Sequence, residues 1–290
     1  MNESPRFVQE IVDWASTLPV ARISLLKSDV DTWVLHLVST SGIDLHVYLL
    51  PIIHASTVRP LLDEARTKSI RHVALWEDLW YTKRAIVQSR LAAILGISER
   101  IPARLTQVRR LDRPTTLKFL QENHLQDAVL AKFKYGLFLP KKHYRVLHNP
   151  PEADEWLVAV ATFAHPRLFV RNGRSHRSFE LVRFANVLNS TVVGGLDKLI
   201  SHLIKEHQPD DLMTYADLEW SDGHSYLKLG FESISDIPPQ LFWVNPKTME
   251  RCSPHRLPTG LTEPTALEQG FVKIHNAGSR KFVKVFTLTT

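Results

Sequence analysis

Residues 214–231 of the chain read TYADLEWSDGHSYLKLGF, and this stretch decides the fold. An apolar segment enters it from Leu212 and continues to Ala216, which predicts a buried strand. The polar residues from Asp217 to Gly223 predict a loop, and a short helix carrying Tyr226 then ends at the letters LGF. A strand, a loop and a helix in so short a stretch are typical of an α/β protein.

A second strand–turn–helix unit lies upstream, in residues 178–207, SFELVRFANVLNSTVVGGLDKLISHLIKEH. Its first part is apolar enough for a central strand, and apolar residues at helical spacing follow the two glycines. Glycines at a helix N-terminus let free backbone N–H groups approach a pyrophosphate, and the helix dipole favours its negative charge. Taken alone, such a glycine pair is more simply a tight strand-to-helix turn. The residues predicted to bind a cofactor here are Asn189, Val193, Gly194, Gly195 and Lys198.

Together the two units resemble the GNAT family of N-acetyltransferases, in which a phosphate-binding turn opens a helix and a later short helix carries a tyrosine. The resemblance implies a mixed sheet flanked by helices, with acetyl-coenzyme A or another acyl-coenzyme A as the donor. It implies that Tyr226 faces the sulfur of coenzyme A. The family usually has Gly-x-Gly or Gly-x-Ala where this chain has Gly194-Gly195-Leu196, so the sequence departs from the family at that turn.

Four polar side chains are candidates for the chemistry at this centre. Tyr226 is either a general acid that protonates a leaving thiolate or a core tyrosine with a satisfied hydroxyl. Asp217, at a strand end, either acts as a base or orients a substrate amine, or it is an ordinary turn or helix-cap aspartate. Glu180 and Arg183 lie on the neighbouring strand, where strict alternation puts them on opposite faces, so they need not share a site.

The composition is that of a globular protein with two domains. With 290 residues, 44% of them apolar and 23% charged, the chain is long enough for two hydrophobic cores. It has no apolar run near the roughly 20 residues that span a bilayer and no signal-peptide pattern, so we expect a cytoplasmic protein with no membrane partner. Its single cysteine, Cys252, excludes an internal disulfide framework and a multi-cysteine zinc site.

Positive charge is concentrated in three clusters, in residues 83–113, 132–145 and 167–177. The formal net charge is +6 and the isoelectric point about 9.4. Each cluster alone is more simply a solvated face, but three together favour DNA or RNA as a partner, because basic side chains neutralise phosphates. His124 ends a helix between Asn123 and Gln126, where it either reads a base or caps the helix. The residues predicted to contact nucleic acid are Arg109, Arg110, Arg171, Arg174 and His124.

We predict two domains, residues 1–110 and 111–290, with a proline-containing linker in residues 97–116. The first has the pattern of a compact α/β unit that begins with an amphipathic helix. The second contains the motifs described above. It is expected to end in a β-hairpin over residues 270–287, with the sequence NAGS at its turn.

Residues 70–96, followed by motifs such as Tyr215-Ala216-Asp217, resemble phage-associated endonucleases with a very-short-patch-repair-like core. The resemblance spans most of the chain and implies a restriction-endonuclease-like α/β fold for residues 1–110. Such nucleases hold magnesium with carboxylates. Here His46 stands where the metal-binding glutamate is expected, and no Glu-x-Lys or Asp-x-Lys follows Asp31 and Asp44 on an adjacent strand. We therefore predict a degenerate nuclease domain without a metal.

The order Tyr-Ala-Asp, Gly-His, tyrosine, Gly-Phe also resembles the phage Mom group, GNAT-like proteins that modify adenine in DNA. Three hypotheses follow. The leading one is group transfer from coenzyme A or a related donor to nucleic acid. The alternative is a non-catalytic DNA-binding accessory protein of phage or mobile-element origin. A metal-dependent nuclease is least favoured, because the acidic set is incomplete.

Overall fold

A computed structural model describes residues 4–27, 32–54, 58–171, 173–258 and 260–286. Asp31, one of the acidic residues noted above, lies outside these ranges, and the side chains of His54 and Arg171 are not described. No helix within the described ranges is both long enough and apolar enough to cross a bilayer.

The first part of the chain forms a four-stranded sheet with helices beside it. Its elements are α1 (Arg6–Ser16), β1 (Val20–Lys27), β2 (Trp33–Ser39), β3 (Asp44–Leu50), α2 (Arg59–Thr67), β4 (His72–Trp76), α3 (Glu77–Thr82) and α4 (Arg84–Ile94). The sheet order is β1-β2-β3-β4, with antiparallel pairs except for β3 and β4, which are parallel. Phe7, Ile11 and Ala15 recur at helical spacing on α1 and are fully buried against one face of this sheet.

The rest of the chain builds a larger mixed sheet and two small ones. Its elements are β5 (Glu99–Pro102), β6 (Gln107–Arg110), α5 (Arg113–Asn123), β7 (Phe133–Pro140), β8 (Glu155–Phe163), β9 (Arg167–Arg171), β10 (Arg174–Asn186), β11 (Ser190–Val193), α6 (Gly195–His207), β12 (Asp211–Asp217), α7 (His224–Lys228), β13 (Glu232–Ile237), β14 (Leu241–Val244), β15 (Arg251–Cys252), α8 (Glu263–Glu268), β16 (Val272–His275) and β17 (Ser279–Val285).

The large sheet has the order β13-β17-β12-β10-β8-β7-β6, with β9 as a further partner of β10. Within it β10 and β12 are parallel, and the other pairs are antiparallel. Helix α6 covers one face, where Leu199 and Leu203 are buried with Leu137 and Leu181. Helix α5 covers the other face with Phe119 and Leu120. The predicted fold class, α/β (α+β) with a mixed sheet flanked by helices, is confirmed.

Two local expectations need correction. The stretch 97–116, interpreted as a linker, contains β5 and β6, which pair with β11 and β7. The expected terminal hairpin does not form, because β16 pairs with β14 whereas β17 pairs with β12 and β13. At the turn between β16 and β17, Gly278 has a φ of +82°, and a Cβ there would lie 2.2 Å from the Ile237 carbonyl oxygen. Only glycine fits this close approach, at the point where the chain passes from the small sheet of β16 to the large sheet of β17.

The last third of the chain also packs back onto the first sheet. Val244 and Ile274 are buried in one cluster with Leu50, Ala74 and Trp76. The Arg251 guanidinium donates two hydrogen bonds of 2.7 Å to the buried Asp78 carboxylate. The division into domains 1–110 and 111–290 stays a prediction.

Candidate active site

The central feature of the large sheet is the divergence of its parallel pair. Strands β10 and β12 are paired only between residues 178–180 and 211–213. A β-bulge between Leu181 and Arg183 then shifts the register of β10 against β8, and a bulge bends the strand that carries it. At the point of divergence the Thr214 hydroxyl donates to the Leu181 carbonyl at 3.1 Å. Beyond it the facing edges of β10 and β12 are not paired with each other.

The divergence opens a cleft of about 590 Å³. Residues 180–184 of β10 form one wall and residues 214–217 of β12 the other. Residues at the start of α6 and residues of α7 also line the cleft. Seven of the residues singled out from the sequence line this cleft together: Glu180, Arg183, Asp217, Tyr226, His124, Gly194 and Gly195.

Two glycines shape the turn into α6. Gly194 has a φ of +77°, a left-handed conformation that L side chains adopt at a cost, and it precedes the first turn of the helix. A Cβ on Gly195 would lie 3.0 Å from Val192 and 3.2 Å from Leu137, so this position needs glycine for packing. The thirteen-residue helix α6 therefore starts at the cleft with its first N–H groups beyond the reach of intrahelical acceptors.

The other predicted cofactor residues lie near this turn but do not line the cleft. Asn189, with a φ of +61°, donates its backbone N–H to the Ser89 hydroxyl at 2.7 Å. Val193 is 42% exposed. The Lys198 ammonium donates to the carbonyls of Ala103 and Thr106, which ties α6 to the segment after β5. Asp197, which the sequence did not single out, stands in the first turn of α6 and does line the cleft.

Tyr226 is positioned by the glycine at the start of α7. Gly223 has a φ of +80°, and a Cβ there would lie 2.1 Å from the Phe282 ring. The tyrosine ring packs against Phe231 and Phe282, with centroid separations of 5.6 and 5.5 Å, and its hydroxyl lies beside Thr214. Burial raises the pKa of Tyr226, so the hydroxyl keeps its proton at neutral pH.

Asp217 ends β12 with its carboxylate at the cleft. Its Oδ1 accepts the Glu219 backbone N–H at 3.0 Å, and its Oδ2 accepts from the Gln126 side chain at 3.3 Å. Burial raises the pKa of Asp217, opposed by those hydrogen bonds and by the Arg90 guanidinium. A carboxylate with a raised pKa is a better proton acceptor than a surface aspartate.

Glu219, two residues farther on, is a buried acid behind the cleft. Its Oε1 accepts the Trp76 indole N–H at 2.8 Å and the Ala277 backbone N–H at 3.1 Å. Burial, and then the neighbouring Asp217 charge, raise the pKa of Glu219 to about 8. The Glu219 backbone carbonyl accepts the Ala74 N–H at 2.8 Å, so this residue joins the end of β12 to β4.

Glu180 and Arg183 lie on either side of the β-bulge in β10, and the question whether they act together stays a prediction. Both side chains line the same cleft. The Arg183 guanidinium is half-buried and donates to the backbone carbonyls of Asp127 and Val182. Burial lowers the pKa of Arg183, and the nearby charges of Asp127, Glu180 and Asp217 oppose that shift.

Sequence reasoning missed two cleft residues, Arg90 and Trp220. The Arg90 guanidinium lies 5.4 Å from the centre of the Trp220 ring. The Arg90 Nε and the Trp220 Nε1 are both buried and have no hydrogen-bond partner among the described residues. Arg90 was counted within a basic cluster, because its contact with Trp220 joins distant parts of the chain. Both residues line the cleft, but these two N–H groups are buried within its wall.

The residues predicted to contact nucleic acid are spread over the molecule. Arg109 is ion-paired with Glu155 and lies 4.2 Å from the Phe138 ring centre, whereas Arg110 is exposed at the end of β6. Arg174 is exposed in the β9–β10 hairpin, opposite Arg171. His124 is at the cleft instead, where burial and then Arg90 lower its pKa to about 3, so the ring is neutral. The clusters therefore do not form one surface with His124.

No family model and no curated protein sequence matches this chain. Solved structures that it resembles include the NatC complex bound to Gag peptide and CoA, at 11% identity over 63% of this chain and 99% of that chain, with a TM-score of 0.33. A second is a structure of histone acetyltransferase HPA2 and related acetyltransferase from Corynebacterium glutamicum. It is 12% identical over 64% of this chain and 99% of that chain, with a TM-score of 0.36. A third is the KacTA–DNA complex, at 17% identity over 45% of this chain and 87% of that chain, with a TM-score of 0.30. With TM-scores of 0.30 to 0.36, these similarities assign neither a fold nor an activity to the chain.

Proposed function

We propose that the chain transfers an acyl group from an acyl-coenzyme A bound in the cleft between β10 and β12. One observation supports the proposal: the parallel pair diverges at a bulge, and the cleft there is lined by the glycines that open α6 and by Tyr226 of α7. This is the order of elements that the GNAT resemblance implies, namely strand, phosphate-binding turn, helix, strand and tyrosine-bearing helix.

The chemistry of coenzyme A fits each part of this cleft. Its pyrophosphate would accept hydrogen bonds from the free N–H groups that follow Gly194 at the start of α6. Its pantetheine arm carries amides, which suit the strand edges left unpaired beyond Glu180 and Met213. The thioester would then lie toward Tyr226 and Asp217, beyond the open end of the strands. Asp197, in the same helix turn, opposes the pyrophosphate charge.

The transfer step needs one base and one acid, and the cleft supplies both. Asp217 accepts a proton from an acceptor nitrogen, whose lone pair forms a bond to the thioester carbonyl carbon. The C–S bond then breaks as the Tyr226 hydroxyl gives its proton to the leaving thiolate. The products are the acylated acceptor and free coenzyme A. Solvent returns the proton from Asp217 to Tyr226.

Coenzyme A binding tests this proposal. A ligand that binds only the folded state raises the melting temperature, so millimolar coenzyme A should do so for the wild type. Gly194→Val places a β-branched side chain at a φ of +77° beside the phosphate turn and should abolish the shift. The matched control is Gly42→Val, at a φ of +83° in the β2–β3 turn, which carries the same backbone strain and should keep it. A wild type without a shift, or a Gly194→Val variant that keeps it, would refute the proposal.

We propose nucleic acid as the acceptor class. Arg90 and Arg183 stand at the cleft, and Arg110 and Arg174 are exposed on the strands of the same sheet. Binding to duplex DNA should fall steeply with salt, with a log–log slope of roughly −5 for about six phosphate contacts. Charge reversal at Arg110 and Arg174 should flatten the slope, whereas Arg22→Glu, on the exposed face of β1, should leave it unchanged.

Three outcomes separate the candidate functions. Salt-sensitive nucleic-acid binding together with coenzyme A binding supports the modifying transferase. Nucleic-acid binding without coenzyme A binding supports the accessory protein. Coenzyme A binding without nucleic-acid binding at low salt removes nucleic acid as the acceptor and keeps the transferase.

A further inference from the structure

Three potential metal ligands stand together on the first sheet, far in sequence from the cleft. His36 on β2 lies directly opposite His46 on β3, and Asp44 precedes His46 by two residues on the same strand. Strand alternation therefore puts all three side chains on one face. The alternate residues, including Leu35 and Val47, are fully buried on the other face.

The ligand atoms are close enough to share one ion. The Nε2 of His36 lies 2.5 Å from the Asp44 Oδ1, and the Nε2 of His46 lies 3.7 Å from the same oxygen. All three ligand atoms lie within 4.8 Å of one another. A tetrahedral zinc ion with bonds near 2 Å separates its ligands by about 3.3 Å, a value inside this range. Small side-chain rotations would close the set around an ion.

From this geometry we infer that His36, Asp44 and His46 bind a divalent ion of the zinc class. Two imidazoles and one carboxylate suit Zn²⁺ and its late first-row neighbours, whereas Mg²⁺ prefers six oxygen ligands. The Asp44 side chain is 56% exposed, which gives the ion a path from solvent. Three protein ligands leave one tetrahedral position for water. The inference departs from the sequence expectation of a domain without a metal, and it is independent of the proposed transferase activity.

The ion would bridge neighbouring strands. His36 belongs to β2, and the other two ligands belong to β3, so a bound ion cross-links the two strands at the register pair His36–His46. Because the ligands are brought together by the fold, binding should also stabilise the folded state.

Equilibrium dialysis of the full chain without a histidine tag tests the site. The wild type should bind one Zn²⁺ per chain, and its melting temperature should rise. Removal of a ligand in His36→Ala, His46→Ala or Asp44→Asn should weaken binding at least about tenfold. His255→Ala, which removes an exposed histidine in another part of the chain, should bind like the wild type. Substitution with Co²⁺ should give visible absorption bands of a low-symmetry, four-coordinate ion.

Asp44→Asn keeps the test decisive if a histidine variant fails to fold, because Asp44 is exposed and its amide has the same shape. Circular dichroism without metal identifies folded variants. No Zn²⁺ binding by the wild type would overturn the inference. Binding that all folded ligand variants retain, or that His255→Ala weakens equally, would also overturn it, because the ion would then sit on scattered surface histidines.

Discussion

Each of the two larger sheets contains one parallel strand pair, and the two pairs behave differently. Strands β3 and β4 stay paired over residues 46–50 and 72–76. Strands β10 and β12 stay paired for only three residues each and then separate at a bulge. We call β3 and β4 the closed pair, because buried residues lie on both of its faces. We call β10 and β12 the open pair, because a cleft opens where they diverge.

The difference shows where this molecule gives up stability for a binding surface. On β3 and β4, Val47 and Val73 face one core, and Leu50 and Trp76 face another, so separation would expose two cores. The divergence of β10 and β12 forfeits backbone hydrogen bonds, each worth about 1 kcal/mol net. A bulge that costs stability beside Asp217 and Tyr226 is the kind of local irregularity that functional sites retain.

Tyr226→Phe, a change beside the open pair, should have the largest effect, and the effect is on the rate of acyl transfer. Removal of the hydroxyl proton should slow thiol release from acetyl-coenzyme A, with nucleic acid as acceptor, by about 10²- to 10⁴-fold. Coenzyme A binding should be unchanged, because the ring and its packing remain. Tyr48→Phe, a tyrosine of β3 in the closed pair, should leave the rate unchanged. Equal rates for Tyr226→Phe and the wild type would remove Tyr226 from the mechanism.

The sequence predicted the elements of the open pair better than their geometry. The run from Phe179 to Leu188 predicted a central strand, and the Gly-Gly turn and the tyrosine helix were placed where they occur. The bulge at residue 182 was not predictable, because an apolar strand with one extra residue has no distinct periodicity. Arg90 and Trp220 were missed because they meet from distant parts of the chain.

For the part of the chain that holds the closed pair, the sequence predicted a compact α/β unit, but it did not predict which later strands pack against that unit. The sequence assigned β16 and β17 to one hairpin, since NAGS between two apolar runs is a common turn. The decisive contacts are tertiary, including the close approach of Gly278 to Ile237 and the buried pair of Asp78 and Arg251. No local pattern encodes such contacts, which join residues more than 170 positions apart in the second case.

A smaller effect, on the free energy of unfolding, should come from Glu219. This residue follows β12 of the open pair, and its carboxylate accepts a hydrogen bond from Trp76 at the end of β4 in the closed pair. Its pKa is about 8 in the folded state against an ordinary value of 4.5, so between these values the folded chain binds more protons than the unfolded chain. Stability should therefore fall as pH rises from about 4.5 to about 8. Glu219→Gln keeps the acceptor oxygen and removes this penalty, so it should be more stable than the wild type at pH 8.

Urea unfolding at pH 5 and pH 8 measures this difference. The variant and the wild type should differ little at pH 5. Glu122→Gln, at an exposed position on α5, serves as the control and should follow the wild type at both values. A Glu219→Gln variant that is less stable than the wild type at pH 8 would show that the carboxylate is charged and stabilising there.

The smallest effect concerns Asp197 of α6, which connects the strands of the open pair, and it is compared with Glu77 of α3, which follows the closed pair. Asp197 in the first turn of α6 opposes a pyrophosphate, and charges at a helix end are worth about 0.3–1 kcal/mol. Asp197→Asn should therefore tighten coenzyme A binding by about two- to fivefold at low ionic strength. Glu77→Gln, in the first turn of α3 after the closed pair, should leave that affinity unchanged. Calorimetric titration at low salt compares the two, and weaker binding by Asp197→Asn would place the phosphates elsewhere.

Hydrogen–deuterium exchange with and without coenzyme A tests the central claim most directly, because one experiment reads both parallel pairs. Bound ligand should slow amide exchange in residues 181–186 of β10 and residues 194–198 at the start of α6. Exchange in residues 44–50 and 72–76 of the closed pair should not change. Coenzyme A that leaves residues 181–186 and 194–198 unprotected, or that protects the closed pair instead, would contradict the account.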